Sequence, residues 1–173
     1  MAAAPFDIYL ISLGSNQRHT VIGPPARVLP AAIAALEMPD IDLYEASATM
    51  QSAAVGPSRR VYANAAVIVA SPLDPPALLS RLHVIEAHFG RERRGQRWRS
   101  RVLDLDIILW SGGIWADETL AIPHPAMRNR SFVLTPAAMI APDWRDPVSG
   151  LSLRQLQSRL TRPKPLDGES QLH

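Results

Sequence analysis

The stretch GRERRGQRWRSRVLDLDIIL, Gly90 to Leu109, decides how this chain is read. Its first half carries Arg91, Arg93, Arg94, Arg97, Arg99 and Arg101; its second sets Asp104 and Asp106 in an otherwise apolar run that extends to Trp110. Val102 to Trp110 has the composition of a buried strand. Alternate residues on a strand share a face, so Asp104 and Asp106 project together into one small volume. By itself an Asp-x-Asp pair is commonly a solvated face. Here two like charges are held close on a strand too apolar to be a casual surface. That arrangement suits two magnesium ions, which take one or two carboxylates and complete their shells with water and substrate phosphates. Arginines immediately upstream suit phosphate oxygens. The chemistry implied is phosphoryl-type transfer, not zinc hydrolysis.

Working outward, Phe6 to Leu13 reads as a buried opening strand closed by the turn residues Gly14-Ser15-Asn16. Pro24 and Pro25 suit a helix entry, with Val28, Ile33, Ala34 and Leu36 as its apolar stripe through Glu37. Strands are expected over Ile41–Gln51 and Tyr62–Val69, joined by a loop carrying Gly56-Pro57 and Arg59-Arg60. Ser71 as N-cap and Pro72 at the first position predict a helix to about Phe89, buried through Leu78, Leu79, Leu82, Ile85 and Phe89 and stopped by Gly90. After the aspartate strand, Ser111-Gly112-Gly113 is expected to turn it into a short partner containing Ile114 and Trp115. A short helix from about Phe132 to Ile140 and a last one over Leu151–Leu160 complete the pattern. Neither a dinucleotide fingerprint nor a GxxxxGK[ST] loop is present. The interleaving favours an α+β sandwich with a largely antiparallel sheet covered by helices.

With 173 residues, 47% hydrophobic and 20% charged, the chain is long enough for one domain with a sizeable core, expected over residues 1–161, and residues 162–173 read as a flexible tail. The absence of cysteine excludes disulfides and thiolate sites. The net charge of +2 is too small to draw in nucleic acid or a membrane surface by long-range attraction; the positive charge is concentrated between Arg91 and Arg101. No stretch reaches the length of a membrane span, and Met1 to Pro5 lacks the pattern of a secretory signal, so a cytoplasmic protein is expected.

Five motifs occur together and in order: Leu13-Gly14-Ser15-Asn16, Tyr62-Ala63-Asn64-Ala65-Ala66, Gly90-Arg91-Glu92-Arg93, Arg101-Val102-Leu103-Asp104-Leu105-Asp106-Ile107, and Pro123-His124. In sequence and spacing they resemble the 6-hydroxymethyl-7,8-dihydropterin pyrophosphokinases of folate biosynthesis, from about Ile8 to Pro142. The resemblance implies a ferredoxin-like α/β/α sandwich and transfer of pyrophosphate from MgATP to the pterin hydroxymethyl group, releasing AMP. It also implies that Asp104 and Asp106 ligate two magnesium ions and that Arg91 and Arg101 hold the phosphates, with Arg93 and Arg97 sealing the site. His124 and Arg130 would meet the nucleotide phosphates, His83 and Glu86 would contribute to the nucleotide site, and the Ile107 backbone would face adenine.

By the same resemblance the pterin lies between Tyr62 and Phe132, Asn64 reads its edge, Ser52, Ala53 and Val55 complete that edge, and Trp98 closes over it. Without the resemblance, Tyr62 and Phe132 would read as core aromatics and His124 as a structural hydrogen-bonder. The chain departs from the family pattern in three places: Ser52-Ala53-Ala54 replaces Thr-Pro-Pro, Arg99-Ser100 replaces Gly-Pro, and His83 stands for a glutamine. None removes a metal ligand. The expected partners are ATP and a reduced pterin, with no nucleic acid and no membrane, acting on a monomer. Two other readings are carried: a catalytically impaired pterin- or nucleotide-binding relative, and a nucleic-acid-binding ferredoxin-like module using the arginine loop.

Overall fold

The structure, a computed structural model, describes residues 5–53, 61–90 and 101–163. The loop around Gly56-Pro57, the arginine-rich segment 91–100 and the tail from residue 164 lie outside the described residues.

The elements in chain order are β1 (Asp7–Ser15), α1 (Pro25–Ala35), β2 (Asp42–Ala46), β3 (Met50–Ala53), β4 (Val61–Ser71), α2 (Pro75–His88), β5 (Asp104–Trp110), β6 (Trp115–Ala116), β7 (Ala121–Ile122), a 3-10 turn (Met127–Asn129), α3 (Ser131–Ile140) and α4 (Leu153–Thr161). The main sheet runs β2-β4-β1-β5, with β3 also on β4, and every pairing is antiparallel. Helices cover both faces, as the sequence predicts for an α+β sandwich.

Alternation along three strands divides the core. Tyr9, Ile11 and Leu13 of β1, Ala63, Ala65, Val67 and Val69 of β4, and Leu105 and Ile107 of β5 point to the side covered by α1 and α2. Leu10, Ala66 and Ile108 point to the other side, against Val133, Leu134 and Ala137 of α3 and Leu153 and Leu156 of α4. This second layer covers only part of its face. The uncovered part is where Asp104 and Asp106 emerge. Burying Leu105 and Ile107 stabilises the strand by roughly 1.5–3 kcal/mol each. Two carboxylates about 6–7 Å apart near a protein surface repel by roughly 2–3 kcal/mol. The apolar face therefore holds the strand in register against the repulsion.

Beyond shifts of one or two residues at the ends of β1, α1, β4 and α4, four boundaries differ from the sequence reading. The strand expected over Ile41–Gln51 is two, because the Ser47 hydroxyl accepts from Ala66 N (2.9 Å) and takes the place of a ladder carbonyl; pairing resumes only at Met50 opposite Asn64. Helix α2 starts three residues late. Its N-cap is Asp74, which accepts from Ala77 N (2.9 Å), with Pro75 at the first position; Ser71 ends β4 and donates its hydroxyl to Asp40 O. The aspartate strand begins at Asp104, not Val102. Trp115 does not return along β5: β6 pairs with β7, across a turn tied by Asp117, which accepts from Trp115 Nε1, Thr119 N and Leu120 N. Gly90 does stop its helix, with φ at +88° and its N–H donating to Ala87 O.

Candidate active site

The register of three strands builds the floor of the site. On β1, Gly14 is paired with Asn64 on one side and Asp104 on the other; two residues back, Ser12 lies between Ala66 and Asp106. Tyr62, Asn64, Asp104 and Asp106 thus share one sheet face. Asn64 and Asp104 are two strands apart, about 10 Å. A Cβ on Gly14 would stand 3.6 Å from Asn64 Oδ1, so glycine leaves the floor between amide and carboxylate low. Opposite Tyr62 on β3 is Ser52, and Ala53 pairs with Val61. Asn64 is buried, Tyr62 half-buried and Ser52 exposed, a gradient from sheet interior to rim.

Arg101 is fixed before its side chain begins. Its N–H donates to Asn16 Oδ1 (2.8 Å) and its carbonyl accepts from Asn16 N (3.2 Å), so Asn16, just past the end of β1, grips the chain upstream of β5; Gly14 and Ser15, expected in a turn, instead continue the strand. Guanidinium NH1 then donates to Asp104 Oδ1 (3.0 Å). Both side chains are partly exposed, so the pair adds less than about 1 kcal/mol to stability. Its value is placement: a phosphate-binding fork beside a carboxylate.

Glu86 carries a further contact. Its side chain has no exposed surface, and Oε1 accepts from Leu105 N (2.8 Å), the peptide link between the two aspartates. A carboxylate expected at the nucleotide site also holds the backbone of β5. Glu86→Leu removes that acceptor and should lower unfolding free energy by about 1–3 kcal/mol, whereas Glu86→Gln, which keeps an acceptor, should lose less. Urea midpoints at constant m-value measure the difference. His83, one turn earlier on α2, is half-buried. The Ile107 side chain lies in the α1–α2 core, so only its main chain can meet a ligand.

The third wall is the segment from Pro123 to Phe132. His124 N donates to Ile108 O (3.0 Å), bringing the imidazole to the edge of β5. Nδ1 accepts from Ala126 N (3.2 Å), which puts the ring proton on Nε2 as a donor. Arg130 lies exposed, its guanidinium carbon 5.7 Å from the centroid of the Phe132 ring. Phe132 is 45% exposed at the start of α3, so its ring is accessible from solvent. Val55, Arg91, Arg93, Arg97 and Trp98 lie outside the described residues.

Among the described residues, no three His, Asp or Glu side chains gather into a closed metal cage. Two half-buried carboxylates on one strand face form an open set of hard oxygen donors, which fits magnesium carried in with substrate phosphates. Sequence reasoning took Gly14 to Asn16 as a turn supporting the site without singling out the Asn16 side chain, and it passed over Glu86 as a support. Asn16 was legible only as a turn residue, and nothing in periodicity tells a buried glutamate that bonds a distant strand from a surface one.

An antiparallel α+β sandwich presenting paired acids, a tethered arginine and aromatic rings on one open face defines a phosphoryl-transfer enzyme of the sandwich type. The family model for 7,8-dihydro-6-hydroxymethylpterin-pyrophosphokinase (HPPK) matches residues 10–142. The chain belongs to that family. It is 42% identical over 148 residues to 2-amino-4-hydroxy-6-hydroxymethyldihydropteridine pyrophosphokinase of Synechocystis, covering 85% of this chain and 73% of that one. It is 36% identical to the protein of the same name from Methylorubrum extorquens, covering 87% and 91%. In fold it is similar to the solved Plasmodium falciparum HPPK-DHPS, with a TM-score of 0.65 at 12% identity. That match covers 90% of this chain but 44% of the Plasmodium chain, so this chain spans less than half of the two-part protein. No described helix is long and apolar enough to cross a membrane.

Proposed function

We propose that this chain transfers the terminal pyrophosphoryl group of ATP to the hydroxymethyl oxygen of a 6-hydroxymethyl-7,8-dihydropterin, in the route to folate. In this reaction the pterin oxygen forms a bond to the β-phosphorus of ATP, and the bond from that phosphorus to the oxygen bridging the α-phosphate breaks. AMP departs with that oxygen, and the hydroxyl proton is released. The observation that carries the reading is the placement of Asp104 and Asp106 on the same sheet face as Asn64, with Gly14 keeping the space between them open. The family match favours catalysis over the impaired-relative and nucleic-acid alternatives.

Each residue has a part suited to its chemistry. Asn64, offering a donor and an acceptor from a buried position, reads the heterocycle's edge, with Ser52 and the backbone at Ala53 and Val55 beside it. Tyr62 and Phe132 take its two faces, and Trp98 closes over them. Asp104 and Asp106 hold magnesium, two ions in this reading, whose chemistry is to neutralise the triphosphate and polarise the oxygens that attack and leave. Arg101 can exchange its bond to Asp104 for one to phosphate, so a donor already in place meets charge as it develops. His124 Nε2 and Arg130 meet nucleotide phosphates at the edge of β5, and the Ile107 main chain meets adenine. Arg91, Arg93 and Arg97 add guanidinium donors by resemblance of motif. Glu86 acts from beneath by holding the peptide between the two acids. A monomer working in the cytoplasm completes the reading.

Incubation with ATP, Mg²⁺ and the reduced pterin tests substrate, reaction and bond position together. AMP and pterin pyrophosphate should appear in equal amounts. Formation of ADP with a pterin monophosphate would overturn the assignment of the broken bond.

A further inference from the structure

Asp146 is the only fully buried aspartate among the described residues, and it lies in the loop between α3 and α4, remote in sequence from the acids of β5. Its carboxylate grips Arg128 through both oxygens: Nε donates to Oδ2 and NH2 to Oδ1, each at 2.7 Å. Such a fork is the strong form of the ion pair and fixes orientation as well as distance. Arg128 belongs to the 3-10 turn between His124 and Arg130, the two residues read above as nucleotide contacts.

The other ties of that turn are unequal. At its start, His124 N bonds Ile108 O at 3.0 Å, and in its middle Met127 is fully buried against α3 and α4. At its end the main chain is held by Asn129 N to Ala126 O at 3.3 Å and Arg130 N to Met127 O at 3.4 Å, both long. Side chains there offer little more, since Asn129 and Arg130 are exposed. Arg130 is also held through its carbonyl, which accepts from Leu134 N (3.0 Å) and Val133 N (3.1 Å) at the start of α3, while the Arg128 fork ties the turn to the α3–α4 loop.

The anchor itself is rigid. Asp146 also accepts from Ser149 Oγ (2.6 Å) and Val148 N (3.0 Å), while its main chain pairs with Leu151 and Gly150. From there Ser152 and Gln155 form a capping box that begins α4. Burial acts most strongly on the Asp146 carboxyl and pushes its pKa up. The hydrogen bonds from Arg128, Ser149 and Val148, with the charge of Arg128, prevail and hold it at about 2, so the pair is ionised at any working pH.

We propose that the Arg128–Asp146 pair positions the nucleotide-binding turn, transmitting the rigidity of the α3–α4 loop to Arg130 and His124. Neither residue touches the nucleotide. The proposal rests on the reading of His124 and Arg130 as phosphate contacts, and it adds that their alignment is set from the far side of the turn. A misplacement of about 1 Å in such groups is enough to cost a large factor in binding or rate.

The alternative is that the pair only closes the loop. Two variants of the full chain separate the cases. In Arg128→Met/Asp146→Leu both charges leave together, so no orphaned buried charge remains, and water can serve the exposed Val148 and Ser149. In Arg128→Lys the charge on Asp146 stays compensated but the planar fork is lost. Binding of a methylene-bridged, non-reacting ATP analogue with Mg²⁺ is titrated alongside thermal unfolding and steady-state KM for ATP and pterin.

The expected result is near-native unfolding for both, with Kd for the analogue and KM for ATP raised about tenfold in the double variant and about threefold in Arg128→Lys. KM for the pterin should change less than KM for ATP, because Tyr62 and Asn64 are held by β4 and only Phe132, within α3, adjoins the turn. Native affinity for the analogue in Arg128→Lys, or in a stably folded double variant, would overturn the proposal. His124→Ala and Arg130→Ala run in parallel. Should those leave analogue binding unchanged, the phosphate-contact reading itself fails, whatever the pair does.

Discussion

Changing Asp104 or Asp106 to asparagine is expected to lower kcat by about a thousandfold, roughly 4 kcal/mol of barrier. The side chain keeps its size and loses its negative charge, so a hard cation loses a strong ligand while packing is undisturbed. Both acids are partly exposed on the face opposite the Leu105–Ile107 core, and their mutual repulsion opposes the strand. Stability should therefore stay within about 1 kcal/mol of native in each variant, relief of repulsion being set against loss of the partly exposed Arg101 bond at Asp104. Single-turnover formation of AMP over a range of Mg²⁺, with thermal unfolding on the same samples, measures both. Near-native rates in both variants would dismiss the carboxylates as metal ligands.

Arg101→Ala should reduce kcat by about a hundredfold and Arg101→Lys by about tenfold, since lysine restores charge without the planar fork that binds phosphate at two points. Local structure should survive, because Asn16 grips the main chain of residue 101 at both its N–H and its carbonyl. Loss of the partly exposed bond to Asp104 is a small cost. The useful measurement is kcat against KM for both substrates. A change confined to the pterin KM would place this guanidinium away from the phosphates.

The parts of the fold legible in the sequence are those governed by short-range alternation. The apolar run around Asp104 and Asp106, the β-branched stretch Tyr62–Val69 and the Leu78, Leu82, Ile85, Phe89 stripe all occupy the elements and faces expected of them. Boundaries set by competition were less legible. Ser71-Pro72 and Asp74-Pro75 offer the same capping chemistry, and the choice fell to Asp74 because Ser71 is still paired with Asp7 as the last residue of β4. Ser47 broke a strand for a similar reason, by pairing its hydroxyl with a residue nineteen positions away.

Local sequence by itself determined which groups are available and which face of each strand they occupy, because alternation is fixed by backbone geometry and needs no partner. The tertiary structure alone decided what each polar side chain does once there. It set Gly14 between Asn64 and Asp104, placed Glu86 as a support beneath β5, and joined Arg128 to Asp146 across eighteen residues of chain. A hydrogen bond or ion pair forms where desolvated donors and acceptors meet, and which of them meet depends on the register and packing of elements distant in sequence.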